Sequence, residues 1–294
     1  MNPEQIEQMT PRNRFVYWIR ERYQIGRRKR SKPKPWTDDE IMMDYFFTNP
    51  YREHDKTTKW FRRAIRDPLR NSTDVVIATI IFRWFNLIET GRHLNGIGLL
   101  TDWRHDHALK LLSDRRDAGH KIFTGAFMIN SPGGVRKLEA ICARIEKVWQ
   151  DWDDLSLRAA QWETLQQAHE DLTRYEGLGG FMSYEIVCDL RYTSVLKEAT
   201  DVMTWCNPGP GCIRGLYRIA GIEIPNKSNA TSPPILPGWQ DTMGELLSLL
   251  SRRLPKMPAF EMREVEHSLC EFDKYERLRL KEGKSKRKYP GRPQ

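Results

Sequence analysis

Late in the chain, Glu266-His267-Ser268-Leu269-Cys270-Glu271-Phe272-Asp273-Lys274-Tyr275 sets an acid, a thiol and an amine at four-residue intervals. On a helix, Glu266, Cys270 and Lys274 fall on one stripe, with His267 and Glu271 on a second beside it. A carboxylate so placed can take a proton from an attacking nucleophile, and a lysine can offset charge on a departing anion. Surface pairing of residues four apart would produce the same pattern. A polar turn, Asn49-Pro50-Tyr51-Arg52-Glu53-His54-Asp55, lies between two apolar helices. Arg52 offers the planar fork that phosphate oxygens fit, and Asn49 or Asp55 could orient it. The plain alternative is a capped connector facing water. Arg83 and Asn86 interrupt the apolar stretch that contains Trp84 and Phe85. Such residues usually pair inside a core and more rarely face a site.

Two further features suit a nucleic acid. In Phe123-Thr124-Gly125-Ala126-Phe127-Met128-Ile129, preceded by His120 and Lys121, small residues between aromatics allow close approach to a planar base. Ordinary helix packing explains them equally well. Between predicted helices at 162–175 and 182–192 stands the hairpin Glu176-Gly177-Leu178-Gly179-Gly180-Phe181. The backbone N–H groups of Gly177, Gly179 and Gly180, at the start of the second helix, have no side chains in the way of a phosphate oxygen. A corner whose glycines merely permit positive φ is the alternative. Asp201 follows about twenty positions on, where it could face a base held by that grip, and the Gly/Pro turn Asn207-Pro208-Gly209-Pro210-Gly211 comes next. His105-Asp106-His107 is no metal site, because residues two apart on a helix point different ways.

The elements that must position these residues read as helical throughout. Thr37-Asp38-Asp39-Glu40 is a capping box opening a helix that carries Ile41, Met42, Tyr45 and Phe46 on one face, stopped by Thr48-Asn49-Pro50. Helices are predicted over 56–66, 72–90 (ended by Gly91), 102–116 (capped by Thr101), 134–151, 154–175, 243–253 and 261–281. The β-branched run from Val75 to Ile81 would suit a strand, but its length and capping favour a buried helix. The segment 222–238, rich in Pro, Asn and Ser, reads as a loop within one domain. The resulting architecture is all-α: a basic arm at 1–36, a helical catalytic domain at 37–280 with its hairpin at 176–181, and a basic flexible tail at 281–294.

With 294 residues, 30% of them charged, and a net charge of +9, the chain can bury a sizeable core and attract a polyanion. The excess concentrates in Arg27-Arg28-Lys29-Arg30 with Lys32 and Lys34, and in Lys281, Lys284, Lys286, Arg287, Lys288 and Arg292. Such runs add salt-sensitive phosphate affinity without sequence information. The most apolar window, 75–81, is too short to cross a membrane, and the first residues carry no signal-peptide pattern. The five cysteines form no CxxC pair and read as free thiols; Cys206 and Cys212 flank the Pro/Gly turn without making a metal site.

The order hairpin, helix, aspartate, Gly/Pro turn resembles that of helix-hairpin-helix DNA glycosylases, in a helical domain of that glycosylase-like type. The chain as a whole more closely resembles the α-glutamyl/putrescinyl thymine pyrophosphorylases of DNA-modifying bacteriophages, which include enzymes described as amino acid:DNA transferases. The resemblance runs in order through 47–55, Arg83-Trp84-Phe85-Asn86, 124–129, 177–181 with Asp189-Leu190, Gly209-Pro210-Gly211 with Arg214-Gly215, and 266–275. It implies a glycosylase-related fold and substitution at the methyl carbon of a flipped thymine, with pyrophosphate displaced from 5-pyrophosphoryloxymethyluracil by the amine of an amino acid or polyamine. Glycine is the first candidate donor. The implied catalytic residues are Glu271, Asp201, Glu266 and Lys274. Asn49, Tyr51, Arg52, Asp55, Arg83, Asn86 and Thr124 would hold pyrophosphate or base, and Gly177, Gly179, Gly180, Gly209, Gly211 and Arg214 would hold DNA.

No cofactor is implied with certainty, although a divalent metal would suit pyrophosphate. The setting implied is the cytoplasm of an infected bacterium, with no membrane partner. Phe181 stands where lyase-type glycosylases carry a lysine, so no Schiff-base nucleophile is expected there. Pro50 departs from the family's smaller apolar residue. A base-excision glycosylase and a non-catalytic DNA-binding protein are the competing readings.

Overall fold

The computed structural model describes residues 3–125, 136–225, 232–283 and 288–289. Among these the chain is helical, and its one extended pairing is an isolated antiparallel bridge between Tyr45 and Lys288. The chain forms two compact units: Met1–Asp55 with Met203–Gln294, and Lys56–Val202. The second is therefore inserted, in sequence, between the two halves of the first.

The inserted unit is built around Asp74–Phe85, whose Val75, Val76, Ile77, Ala78, Ile80, Ile81, Phe82 and Trp84 are fully buried. An element apolar all round must be covered on every side. It packs against Gly180–Leu190, Trp152–Ala159, Lys137–Gln150 and Ile88–Gly96. The predicted continuous helix over 72–90 breaks after Phe85, because Asn86 adopts a left-handed conformation (φ 47°, ψ 34°). Gly91 does not stop a helix. It lies inside Ile88–Gly96, where a Cβ would come within 2.6 Å of the Trp60 ring. The predicted 154–175 helix likewise divides into Trp152–Ala159 and Leu165–Leu172, and the 56–66 helix turns into a π-helical stretch at Arg62–Arg66.

The other unit centres on Met262–Arg279, against which Pro210–Ala220, Trp239–Arg253, Pro11–Arg28 and Glu40–Asp44 pack. Its principal departure from the sequence reading is at 1–36. Residues Pro11–Arg28 are not an arm but an 18-residue helix, and Phe15, Trp18 and Ile19 are fully buried in the core. Thr10 caps it by accepting the Asn13 N–H at 3.3 Å, and Pro11 occupies the first turn, where a missing donor costs nothing. Glu40–Asp44 is capped by Asp39 rather than Thr37, whose hydroxyl instead accepts the Asp39 N–H at 3.1 Å. Pro210 and Gly211, read from sequence as part of a turn, open the helix Pro210–Ala220. No helix among the described residues is long and apolar enough to cross a membrane. Ala126–Ile129 and the tail cations Lys284, Lys286, Arg287 and Arg292 lie outside the described residues.

Candidate functional site

The 266–275 motif lies on the central helix of the discontinuous unit, as its spacing predicts. Met262–Arg279 opens with a capping box between Glu261 and Glu264 and buries Val265, Leu269, Phe272 and Tyr275. Pro210–Ala220 approaches it very closely. A Cβ on Gly215 would stand 2.5 Å from the Leu269 carbonyl oxygen, and one on Gly211 would run into the Cys270 side chain and backbone. A side chain at Gly211 is thus excluded by the helix contact itself.

That contact carries the start of Pro210–Ala220 to Glu266. The Gly209 N–H points at Glu266 Oε1 across 3.4 Å, a long bond. Enclosure by protein raises the Glu266 carboxyl to about 7, while the Gly209 N–H and the positive charge of Arg52 partly counteract it. Arg52 begins the 3₁₀ turn Arg52–His54, so the polar turn near the N-terminus and the late helix meet here. A carboxyl titrating near neutrality can both accept and return a proton at working pH. Cys270, one turn further, is exposed, yet burial of its sulfur, then the charges of Glu266, Glu271 and Asp273, push its thiol well above the usual range. It is no ready thiolate.

The second stripe, joined by Lys274 from the first, has a different task. Glu271 Oε2 accepts the Thr48 N–H at 3.0 Å, and Lys274 donates to the Phe46 carbonyl while lying 3.6 Å from Glu271. His267 Nε2 lies 2.8 Å from Thr48 Oγ1 and 3.1 Å from the Asn49 carbonyl oxygen. Three side chains spaced along one helix thereby clasp 46–49 and hold the Arg52 turn in place. Within the turn, Asn49 Nδ2 donates to Asp55 Oδ1 at 2.7 Å, so these two close the turn on each other. Tyr51 is not a ligand-facing residue: 5% exposed, it donates to the Pro258 carbonyl at 2.6 Å and packs on Tyr23 and Phe260. Arg214 donates to Asp273 at 2.9 Å, and Arg218 and Arg277 bind the same buried carboxylate.

The remaining expected residues belong to the inserted unit. Arg83 and Asn86 take the internal pairing rather than a site. Arg83 grips Asp189 with two nitrogens, one at 2.9 Å, and donates to Asn86 Oδ1 at 2.8 Å; Arg83 is 1% exposed and Asp189 0%. The Thr124 N–H donates to the Phe85 carbonyl at 3.1 Å. Asp201 accepts the N–H groups of Leu165 and Gln166 at 2.7 and 3.0 Å, capping Leu165–Leu172. A carboxylate with both oxygens so engaged serves the fold. The hairpin does join two helices, Leu165–Leu172 and Gly180–Leu190. Gly177 alone of its glycines has positive φ, at 87°, while Gly179 leads into the second helix over open space. Glu176 pairs with Arg144 and Lys147. Among the described residues no group of three or more His, Cys, Asp or Glu could hold a metal ion.

Fold and site together define an all-helical domain with an arginine and a near-neutral acid brought into one centre. Its identity follows from sequence comparison: the profile of the helical domain of 5-hmdU DNA kinase matches residues 10–285, and the chain belongs to that family. It is 27% identical over 287 residues to a 5-hmdU DNA kinase of Bacillus phage SP10, an alignment covering 88% of this chain and 44% of that protein. The chain thus spans less than half the length of this curated relative. No solved structure matches. These relationships support a phage thymidine-hypermodification enzyme family, without selecting its pyrophosphorylase branch.

Proposed function

We propose that this protein is a DNA-modifying transferase that displaces pyrophosphate from 5-pyrophosphoryloxymethyluracil in DNA with the amine of an amino acid or polyamine. The observation that carries the reading is Glu266: a carboxyl held near 7, beside Arg52 and the start of Pro210–Ala220. In the step, a nitrogen–carbon bond forms at the 5-methylene carbon as its bond to the pyrophosphate oxygen breaks. The electron pair leaves with pyrophosphate, and the amine's proton passes to Glu266. Arg52 and the backbone N–H groups at a helix start are the kind of donors that offset charge developing on a phosphate leaving group. The base has to leave the duplex stack to expose its 5-substituent, and the glycine hairpin at 176–181 is the proposed backbone grip for that extrusion. The setting is the cytoplasm of an infected bacterium.

Glu266 replaces Glu271 as the favoured base, because Glu271 is occupied in clasping Thr48 and Lys274. The family match favours one other reading, in which the domain presents 5-hydroxymethyluracil for phosphorylation. Two incubations decide. Pyrophosphorylated DNA with protein and glycine, or another amine, should yield a heavier thymidine adduct by nucleoside mass spectrometry together with free pyrophosphate. Label transferred instead from γ-phosphate-labelled ATP to 5-hydroxymethyluracil DNA would overturn the transferase reading.

A further inference from the structure

Lys288, far along the sequence, is brought beside the basic run at 27–34 on the discontinuous unit. Between Glu21 and Asp38 no acidic residue occurs, while Arg27, Arg28, Lys29, Arg30, Lys32 and Lys34 do. Arg28 is spoken for by Glu21, at 2.6 Å. Arg27 is in the last turn of Pro11–Arg28, and Lys29, Arg30 and Lys32, just beyond it, are exposed. Residues 288–289 return to this place: Lys288 bridges Tyr45, and the Tyr289 N–H donates to the Asp44 carbonyl at 2.9 Å.

Aromatic rings order the cations there. Lys29 Nζ lies 5.4 Å from the Trp36 ring centre and 5.3 Å from that of Tyr289. Lys34 Nζ stands 5.7 Å from Trp36, and Lys288 Nζ 4.0 Å from Tyr45. The rings also touch one another, Trp36 to Tyr289 at 5.9 Å and Phe46 to Tyr289 at 6.2 Å. A lysine over a ring face keeps its charge and its three donors while losing part of its freedom. It is therefore better prepared for a phosphate than a lysine on a mobile tail.

We infer that Lys29, Lys34 and Lys288, ordered by Trp36, Tyr45 and Tyr289, form a docking surface for the sugar–phosphate backbone of duplex DNA. The inference rests on the reading that DNA is the substrate, and it gives that substrate a seat on this unit. Charge complementarity selects the occupant, since nothing acidic from 22 to 37 competes with phosphate. The surface is also tied to the proposed chemistry. Asp44, Tyr45 and Phe46 run directly into Thr48, which Glu271 holds by its N–H.

The test is fluorescence anisotropy of the full chain with a labelled duplex of ordinary bases, titrated at several salt concentrations. Unmodified DNA separates this inference from the transferase reading, which needs a modified base and is scored by product. Replacing all three lysines by alanine should flatten the plot of log affinity against log salt by about 2–3, because each phosphate contact contributes roughly 0.9. Trp36→Leu leaves every charge in place and should still weaken binding on the order of threefold to tenfold. The triple arginine variant should restore the slope. An unchanged slope in the alanine variant overturns the surface. Unchanged affinity in Trp36→Leu, with its thermal midpoint unaltered, overturns the ordering by aromatic rings and leaves only a mobile polycation.

Discussion

Two acids, one in each unit, show how the same side-chain chemistry can be fully satisfied or left perturbed. Asp189 is completely buried, and both its oxygens are bound by Arg83, whose remaining nitrogen is taken by Asn86. Nothing in that cluster is left to act on a ligand. Glu266 is enclosed enough to resist ionisation, has a single long bond from Gly209, and feels Arg52 without being neutralised by it. The difference lies in satisfaction rather than in residue type. A saturated ion pair holds helices together, whereas an under-satisfied acid can change its protonation during a reaction.

Removing one partner of the saturated pair should give the largest effect. Arg83→Ala should cost about 3–5 kcal/mol of stability, because Asp189 is left buried and unpaired. Urea unfolding measures it, and a loss below about 1 kcal/mol would erase the contrast. Glu266→Gln should behave in the opposite way, folding normally while amine incorporation falls about 10²–10⁴-fold. The pH dependence sharpens this prediction. With its carboxyl raised to about 7, Glu266 is protonated and inactive as a base below that value, so turnover should climb as pH rises through it. The glutamine variant should lack that limb, and a variant that keeps it removes Glu266 from the mechanism.

A smaller effect is expected at Gly215→Ala. Helix propensity alone would make alanine stabilising by roughly 0.5–1 kcal/mol. The Leu269 carbonyl 2.5 Å from the added carbon reverses the sign, to a loss of about 1–3 kcal/mol. Since the same helix contact delivers Gly209 to Glu266, Gly215→Ala should also lower turnover, whereas Arg83→Ala acts through stability alone. Glu271→Gln should be mildest. The amide can still accept the Thr48 N–H, so only the attraction to Lys274 is lost, about 1 kcal/mol or less by thermal unfolding.

Much of this was legible in the residues. The four-residue spacing of Glu266, His267, Cys270, Glu271 and Lys274 predicts a helix with two polar stripes, and Met262–Arg279 is that helix. Which of these side chains would hold backbone and which would be a perturbed acid depended on where 46–49 and 209–211 came to lie, and helical periodicity carries no such information. Asn86 shows a local limit: its left-handed turn broke a run that length and capping read as one continuous helix. Asp201 shows a longer-range one, since it caps Leu165–Leu172 from 36 residues away. The basic run at 27–34 makes 1–36 read as an arm, yet helix signals precede it: Thr10-Pro11 is a helix start, and Phe15, Trp18, Ile19 and Ile25 trace an apolar face.

The split of one unit across the chain has a consequence for biosynthesis. On the ribosome, Pro11–Arg28 and the Arg52 turn emerge well before Pro210–Ala220, Trp239–Arg253 and Met262–Arg279, the later helices of the same unit. The stretch between them can reach its own packed state in the meantime. The meeting of Arg52 and Glu266 would then be withheld from every nascent chain until synthesis has passed Met262–Arg279.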